Sequence, residues 1–203
     1  MKPVLIGIAF AALLSGAAIA APPPDEVVKK ATEDLQAAIA TRQAEFKADR
    51  GKFYAVVDEM VAPHFDLPYI TQLILARHGR SASPEQKQRF QAAFKNMLIR
   101  SYANALLEYG ASVKTEWKPV HMADDAKTVT VHSRVIRPNG PPVPLGFAMR
   151  QSGDQWKVYD ITIESVSLIT GFRAQVASAI KNSSLDDVIA RLEKGDNLGK
   201  PAG

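Results

Sequence analysis

The sequence contains 203 residues, of which 46% are hydrophobic, 23% are charged and 7% are aromatic, and it has no cysteine. This composition is too apolar for a disordered chain and too charged for a polytopic membrane protein. The lack of cysteine excludes disulfides, thiolate metal sites and a cysteine nucleophile. The net charge of +4 suits an anionic partner, but it is too small to distinguish nucleic acid from lipid headgroups.

The N-terminus has the pattern of a secretory signal peptide. Lys2 precedes an apolar run at residues 4–14, and Ala18-Ile19-Ala20 provides an A-x-A cleavage site. The apolar run is too short for a membrane-spanning helix. We therefore expect residues 1–20 to be removed after Ala20, and residues 21–203 to form a single exported domain that resides in the periplasm of a bacterium.

Helical spacing of apolar residues predicts several helices after the signal peptide. Three such stretches lie at about residues 25–50, 53–62 and 66–78. The clearest local signal follows at residues 83–86, where serine, proline and glutamine form a capping box with proline at the first helical position. This capping box predicts the start of a long helix that ends at Gly110.

The apolar period then changes to two, which predicts strands at residues 127–137, 143–150 and 156–164, with a possible edge strand at residues 111–117. Each strand has one bulky apolar face, formed by Val129, Val131 and Val135, by Val143, Leu145, Phe147 and Met149, and by Tyr159, Ile161 and Ile163. The helical period returns after Ser165. We predict an α+β fold, in which an antiparallel sheet of about four strands is covered by several helices and encloses an apolar pocket.

Sequence motifs for catalysis and for metal binding are nearly absent. The four histidines lack the spacing of a metal site, and residues 178–181 match an S-x-x-K pattern without its companion motifs. Asp160 beside Tyr159 could act as a general base, which leaves a small periplasmic isomerase or hydrolase as an alternative. Lys and Arg are scattered and balanced by acids, which argues against nucleic-acid binding. We expect no catalytic residue, no cofactor and no metal site.

Two segments resemble the MlaC family, also called the toluene-tolerance family. The first is Ser-Pro-Glu-Gln-Lys-Gln-Arg-Phe-Gln-Ala-Ala-Phe at residues 83–94, followed by Leu98, Tyr102 and Leu106. The second is residues 155–173, which are similar to the family signature W-K-V-x-D-V-x-I-x-G-V-S-L-x-x-x-Y-R. Together with the exported N-terminus, the resemblance covers nearly the whole mature chain.

The resemblance implies a carrier rather than an enzyme. Members of this family ferry a phospholipid through the periplasm, between an outer-membrane lipoprotein complex and an inner-membrane ABC transporter complex. We therefore expect a monomer that contacts these complexes transiently. The chain departs from the family pattern at residues 75–80, at Ser165 in place of glycine and at Phe172 in place of tyrosine. Another amphiphile such as a hopanoid, and an envelope interaction protein with a filled core, therefore stay as alternatives.

The lipid-binding residues that follow from this resemblance lie on the strands and on the flanking helices. They are Leu73, Phe90, Phe94, Leu98, Tyr102, Val131, Leu145, Phe147, Met149, Tyr159, Ile161, Ile163, Val166 and Ile169. Arg173, Asp160 and Ser167 are expected either to contact the headgroup or to hold the sheet to the following helix, with Arg173 pairing Asp160 or capping carbonyls. The apolar residues could equally pack on one another, because cores and cavity linings use the same residue types.

Overall fold

Six α-helices and five strands form the part of the chain that the computed structural model describes, residues 22–137 and 140–198. The helices are α1 (Pro24–Ala48), α2 (Arg50–Met60), α3 (Leu67–Leu75), α4 (Pro84–Tyr109), α5 (Leu168–Lys181) and α6 (Leu185–Glu193). The strands are β1 (Lys114–Trp117), β2 (Thr128–Ile136), β3 (Val143–Ser152), β4 (Gln155–Ile163) and β5 (Val166–Ser167). Short 3₁₀ turns lie at Ala62–His64 and Ala76–Arg80. The predicted signal peptide, and positions 138 and 139 of the turn after β2, lie outside the described residues.

The capping box predicted at the start of α4 is confirmed. The Ser83 hydroxyl accepts from the backbone N–H of Gln86 at 3.1 Å, and the Gln86 side chain accepts from the backbone N–H of Ser83 at 2.9 Å. These two bonds satisfy donors that have no partner within the helix. The helix then continues to Tyr109, and Gly110 follows it as predicted.

The first and third predicted helices end slightly differently from their sequence assignments. The break after α1 lies at Asp49 rather than at Gly51, because the Asp49 carboxylate accepts from the backbone N–H of Gly51 at 2.9 Å and caps α2. Helix α3 ends at Leu75 rather than at His78. Ala76 leaves the helical region with φ 47° and ψ −120°, and the chain continues as a 3₁₀ turn.

The predicted antiparallel sheet is confirmed, with strands in the order β1-β2-β3-β4-β5. It has one strand more than the predicted four, because β5 contributes a pairing of only two residues. Val131, Phe147 and Ile161 lie opposite one another across the three central strands. Their side chains therefore share one face of the sheet, which we call the inner face.

The prediction that Tyr159 shares a face with Ile161 and Ile163 is wrong. The register of β3 and β4 shifts at a β-bulge, where Ala148 pairs with Asp160 and Met149 pairs with Val158. Tyr159 is the additional residue, and it packs with the α3, α4, α5 and α6 side chains instead of with the inner face. A bulge interrupts the alternation from which the faces were predicted.

Three separate apolar clusters hold these elements together. The first joins α3, the N-terminal half of α4, α5 and α6, and includes Phe90, Phe94 and Phe172. The second joins α1, α2 and the C-terminal half of α4 around residues such as Phe46 and Phe53. The third lies on the inner face of the sheet, where the N-terminal part of α1 packs. Helix α4 thus belongs to both helical clusters.

Candidate functional site

The inner face of the sheet has two halves that differ in burial. The covered half consists of Val131, Met149, Trp156 and Val158, which are all at most 5% exposed and pack with Val28 of α1. The open half consists of apolar side chains that are only partly buried. These are Val135 of β2, Val143, Leu145 and Phe147 of β3, and Ile161 and Ile163 of β4.

The open half follows from how the helices approach the sheet. Helix α1 packs closely on β2 and β4, and α3 and α5 pack closely on β4. No helix of the described residues packs as closely on the central strand β3, which carries Leu145 and Phe147. Apolar side chains at the middle of a sheet thus keep part of their surface accessible, although burying it would be favourable.

Five of the predicted lining residues are core residues in this structure. Val131 and Met149 are fully buried in the third cluster, which includes Val28 of α1, and Phe90, Phe94 and Ile169 are buried in the first helical cluster. The rings of Phe90 and Phe94 stack with centroids 5.7 Å apart, and Phe94 meets the edge of Phe172 at 5.0 Å. These side chains have little surface left for a ligand.

The remaining lining residues lie in three different places. Leu145, Phe147, Ile161 and Ile163 form part of the open half. Leu73, Leu98, Tyr102 and Tyr159 are partly buried on α3, α4 and β4. The side chain of Val166 is 65% exposed on β5. Leu73, Leu98 and Tyr159 pack against the first helical cluster. Of the predicted lining residues, the four of β3 and β4 are those that lie together on the open half.

Asp160 and Ser167 hold strand β4 to the start of α5. The Ser167 hydroxyl donates to the Asp160 carboxylate at 2.6 Å, and the backbone N–H of Ile169 donates to the same carboxylate at 3.1 Å. Ser167 also caps α5 by accepting from the backbone N–H of Thr170 at 3.0 Å. The Asp160 carboxylate is bonded to Ser167 and Ile169 and not to Arg173, which lies exposed on α5. Asp160 has its hydrogen bonds within the fold, so nothing in its geometry favours the role of a catalytic base.

A second polar contact attaches α3 to the sheet. Arg150 of β3 donates to the Asp66 carboxylate at 2.7 Å, and its guanidinium carbon lies 4.3 Å from the centre of the Tyr69 ring. Asp66 is only 5% exposed and also caps α3 through the backbone N–H of Tyr69. Burial, followed by the neighbouring Tyr69 and Asp160, raises the pKa of Tyr159 above its ordinary value. Tyr159 therefore acts as a neutral phenol that packs against Tyr69 at 5.5 Å.

Two open hollows lie elsewhere on the helices. One is lined by Tyr54, Ala55, Asp58, Asn96, Ile99 and Arg100, and the other by Ala174, Gln175, Ser178, Ala179, Arg191 and Leu198. Neither contains a predicted lining residue, and their mixed polar walls do not suit acyl chains. Within residues 22–137 and 140–198, no group of three or more His, Asp or Glu side chains is arranged to hold a metal ion. Over the same residues, none of the helices combines the length and apolar character needed to span a bilayer.

The sequence reasoning missed Trp156, Val158, Trp117 and Ser133 of the inner face. Trp156 and Val158 were missed because the bulge at Tyr159 interrupts the alternation of β4. Trp117 of β1 packs its ring against Phe147, with centroids 5.9 Å apart. Ser133 of β2 lies between Val131 and Val135 on the same face and is 1% exposed. Alternation along β2 already contained the signal for Ser133, because every second residue of a strand faces the same side. Ser133 was left out because the face was identified from its apolar residues, and serine is polar.

Comparison with known proteins connects this architecture to a family. The model of the MlaC protein family matches residues 29–194. The chain belongs to the MlaC family. Among MlaC relatives, the toluene tolerance protein ttg2D of Pseudomonas putida is 32% identical over 169 residues, which cover 83% of this chain and 78% of the relative. The intermembrane phospholipid transport system binding protein MlaC of Haemophilus influenzae is 24% identical over 194 residues, which cover 94% of this chain and 90% of the relative.

A solved structure shares the MlaC fold of this chain. The phospholipid-binding protein from Ralstonia solanacearum, determined in complex with a phospholipid, superposes with a TM-score of 0.78 at 32% identity. The match covers 86% of this chain and 97% of the Ralstonia protein. The Haemophilus and Ralstonia proteins are named for phospholipid transport and phospholipid binding, and the Pseudomonas protein for toluene tolerance. None of these names states a reaction.

Proposed function

We propose that this protein is a periplasmic carrier that binds a phospholipid against the open half of the inner sheet face. The observation that carries the proposal is the group of partly buried apolar side chains on β3 and β4, in a fold that holds a phospholipid in the Ralstonia protein. Exchange with an outer-membrane lipoprotein complex and an inner-membrane ABC transporter complex, by a monomer without catalysis, completes the proposed role.

The energetics of lipid extraction support an enclosed apolar contact for the acyl chains. Each methylene group moved from water to an apolar surface contributes about 0.8 kcal/mol. A phospholipid with two long chains therefore leaves a bilayer only if protein surface replaces most of its hydrocarbon contact. Phe147, Leu145, Ile161 and Ile163 offer such a surface, and covering them removes their own exposed area from water.

Placement in the periplasm is supported by the pattern at residues 1–20. The basic residue, the apolar run and the A-x-A site are those of a secretory signal. In our proposal, cleavage near Ala20 releases residues 21–203 as one lipid-binding domain. The sequence pI near 9.3 favours encounters with anionic lipid surfaces.

The proposal is tested by native mass spectrometry of the mature chain purified from a bacterial periplasm, followed by lipid extraction. We expect a single adduct with the mass of a diacyl phospholipid. The Phe147→Glu variant should lose this adduct, because it places a charge in the middle of the apolar open half. Thr130→Glu is the matched control, since Thr130 is exposed on the opposite face of the same sheet.

Three results would each overturn a different part of the proposal. A chain that stays at its bare mass after incubation with liposomes would refute lipid binding. An adduct with the mass of a polycyclic lipid would show that the ligand is of the hopanoid type and is not a phospholipid. Retention of phospholipid by folded Phe147→Glu would remove the open half from the binding site.

A further inference from the structure

The 3₁₀ turn at Ala76–Arg80, which we call the basic turn, carries a group of basic side chains at the protein surface. Residues 76–84 contain two arginines and one histidine, and they contain no acidic residue. Arg77 and Arg80 are exposed, and His78 is partly buried. Arg77 donates from Nε to Nε2 of His78 at 3.4 Å, so its side chain contacts another basic group and not a carboxylate.

The arginines of the basic turn differ in their charge partners from five other arginines. Neither Arg77 nor Arg80 forms an ion pair within residues 22–137 and 140–198. The arginines that do contact a carboxylate are Arg42, Arg89, Arg134, Arg150 and Arg191. Residues three apart lie on the same side of a 3₁₀ helix, so Arg77 and Arg80 project in a similar direction. Their charges repel each other, and an external anion offsets this repulsion.

The fold holds the basic turn in place on both sides. Leu75 before it is 1% exposed, and Ala82 after it is 8% exposed. The Ser81 hydroxyl donates to the His78 carbonyl at 3.2 Å. A Cβ atom added at Gly79 would lie 3.2 Å from the Cβ atom of Leu75, so the turn folds back closely on the end of α3. Little backbone freedom is therefore lost when the arginines bind a partner.

The surroundings of the basic turn favour a bilayer surface over an acidic protein. The centre of a stable protein–protein interface is apolar and rich in aromatic side chains. The large apolar side chains that are exposed in the described chain are Tyr109, Met122 and Val166, and none of them belongs to residues 76–88. The negative surface potential of an anionic bilayer attracts basic side chains, and this attraction needs no apolar contact. Two arginines that project together therefore suit a layer of lipid phosphates.

We infer that Arg77 and Arg80 of the basic turn attach the protein reversibly to the surface of a bilayer that contains anionic phospholipid. This contact goes beyond the proposed function, because it concerns headgroups that stay in the bilayer and not the lipid that is carried. The attachment depends on charge, so it weakens as the salt concentration rises. The open half of the inner sheet face takes no part in it.

Co-sedimentation with vesicles tests this contact. The lipid-free mature chain is mixed at low ionic strength with vesicles of phosphatidylcholine alone, or of phosphatidylcholine and phosphatidylglycerol. We expect attachment to the anionic vesicles only, and release when salt is added. Each basic side chain near an anionic surface strengthens attachment roughly 5-fold. Replacing both arginines, Arg77→Gln and Arg80→Gln, should therefore weaken attachment roughly 25-fold.

A second pair of substitutions controls for net charge. Lys47→Gln with Arg50→Gln removes the same charge at the junction of α1 and α2. These two helices pack on the C-terminal half of α4, whereas the basic turn precedes the N-terminal end of α4. The control pair should weaken attachment much less than the pair in the basic turn. The variant with both arginines replaced should keep its phospholipid adduct in native mass spectrometry, which shows that it is folded and that its lipid site is intact.

Equal attachment to both kinds of vesicle would overturn the inference, and so would an equal loss in the two pairs of substitutions. Attachment to neither kind of vesicle would also overturn it and would favour an acidic protein as the partner of the basic turn. Loss of the adduct together with attachment would assign the two arginines to the lipid site instead. A wild-type chain that attaches to anionic vesicles but stays at its bare mass would support the inference and refute the proposed function.

Discussion

Removing the Asp66 carboxylate should destabilise the protein in two separable ways. The carboxylate caps α3 by accepting from the backbone N–H of Tyr69 at 3.1 Å, and the loss of such a cap costs about 1 kcal/mol. It also accepts from Arg150 at 2.7 Å. Leaving one partner of a fully buried ion pair alone costs roughly 3–5 kcal/mol. Because the Arg150 side chain is 35% exposed, we reduce this contribution to about 2 kcal/mol.

Asp66→Ala should therefore lower the free energy of unfolding by about 3 kcal/mol, and Asp66→Asn by about 2 kcal/mol, since asparagine keeps the cap. For a domain of this size, 1 kcal/mol shifts the melting temperature by roughly 2–4 °C. The expected decreases are thus about 6–12 °C for Asp66→Ala and about 4–8 °C for Asp66→Asn. Thermal unfolding of the lipid-free protein, followed by circular dichroism, measures both.

A second substitution separates the charge effect from packing. Arg150→Met in the Asp66→Asn background removes the unpaired charge and should recover part of the lost stability. Equal melting temperatures for Asp66→Ala and Asp66→Asn would contradict the capping argument. A double variant that is less stable than Asp66→Asn would show that the Arg150 contact with Tyr69 outweighs its unpaired charge.

Two further predictions concern the backbone and pH. Ser165 lies in the turn between β4 and β5 with a φ of 71°. This left-handed backbone conformation destabilises a residue that has a Cβ by about 1 kcal/mol. Ser165→Gly should therefore raise the melting temperature by about 2–4 °C, whereas a rise of the same size in Ser165→Ala would contradict this explanation. Burial lowers the pKa of His64 below 6.5, although Asp34 opposes this effect. The unfolded state then binds the proton more tightly, so stability falls as the pH drops through about 6.5. The melting temperature of His64→Asn should fall less than that of wild type between about pH 7.5 and about pH 5.5, and parallel decreases would refute the assignment.

The fold was largely predictable because its signals are local. The capping box at Ser83 and the change of period to two are consecutive patterns, and both are confirmed. The bulge at Tyr159 was not predictable, since it arises from the pairing of two distant segments. The left-handed Ala76 that ends α3 gave no signal either, because alanine is a strong helix former.

The apolar strand faces of the candidate site were predictable from the sequence. The division of the inner face into a covered half and an open half was not. Met149 and Phe147 follow the same alternation on β3, yet Met149 is fully buried in the third cluster and Phe147 is only partly buried at its margin. Packing between distant segments decides this difference, and the alternation of a single strand does not contain it. The helix residues Phe90 and Phe94 have the pattern of either a lining or a core, and their burial shows that they pack in the first helical cluster.

Helix α4 has 26 residues and is shared by the two helical clusters, with Phe90 and Phe94 in one and Ala103 and Leu107 in the other. The contacts within these two helical clusters are therefore separate from the sheet surface proposed to hold the lipid. A lipid can therefore bind to or leave the sheet surface without disrupting the two helical clusters. The lipid-free protein then stays folded after it releases a lipid, and it can bind the next lipid without first refolding.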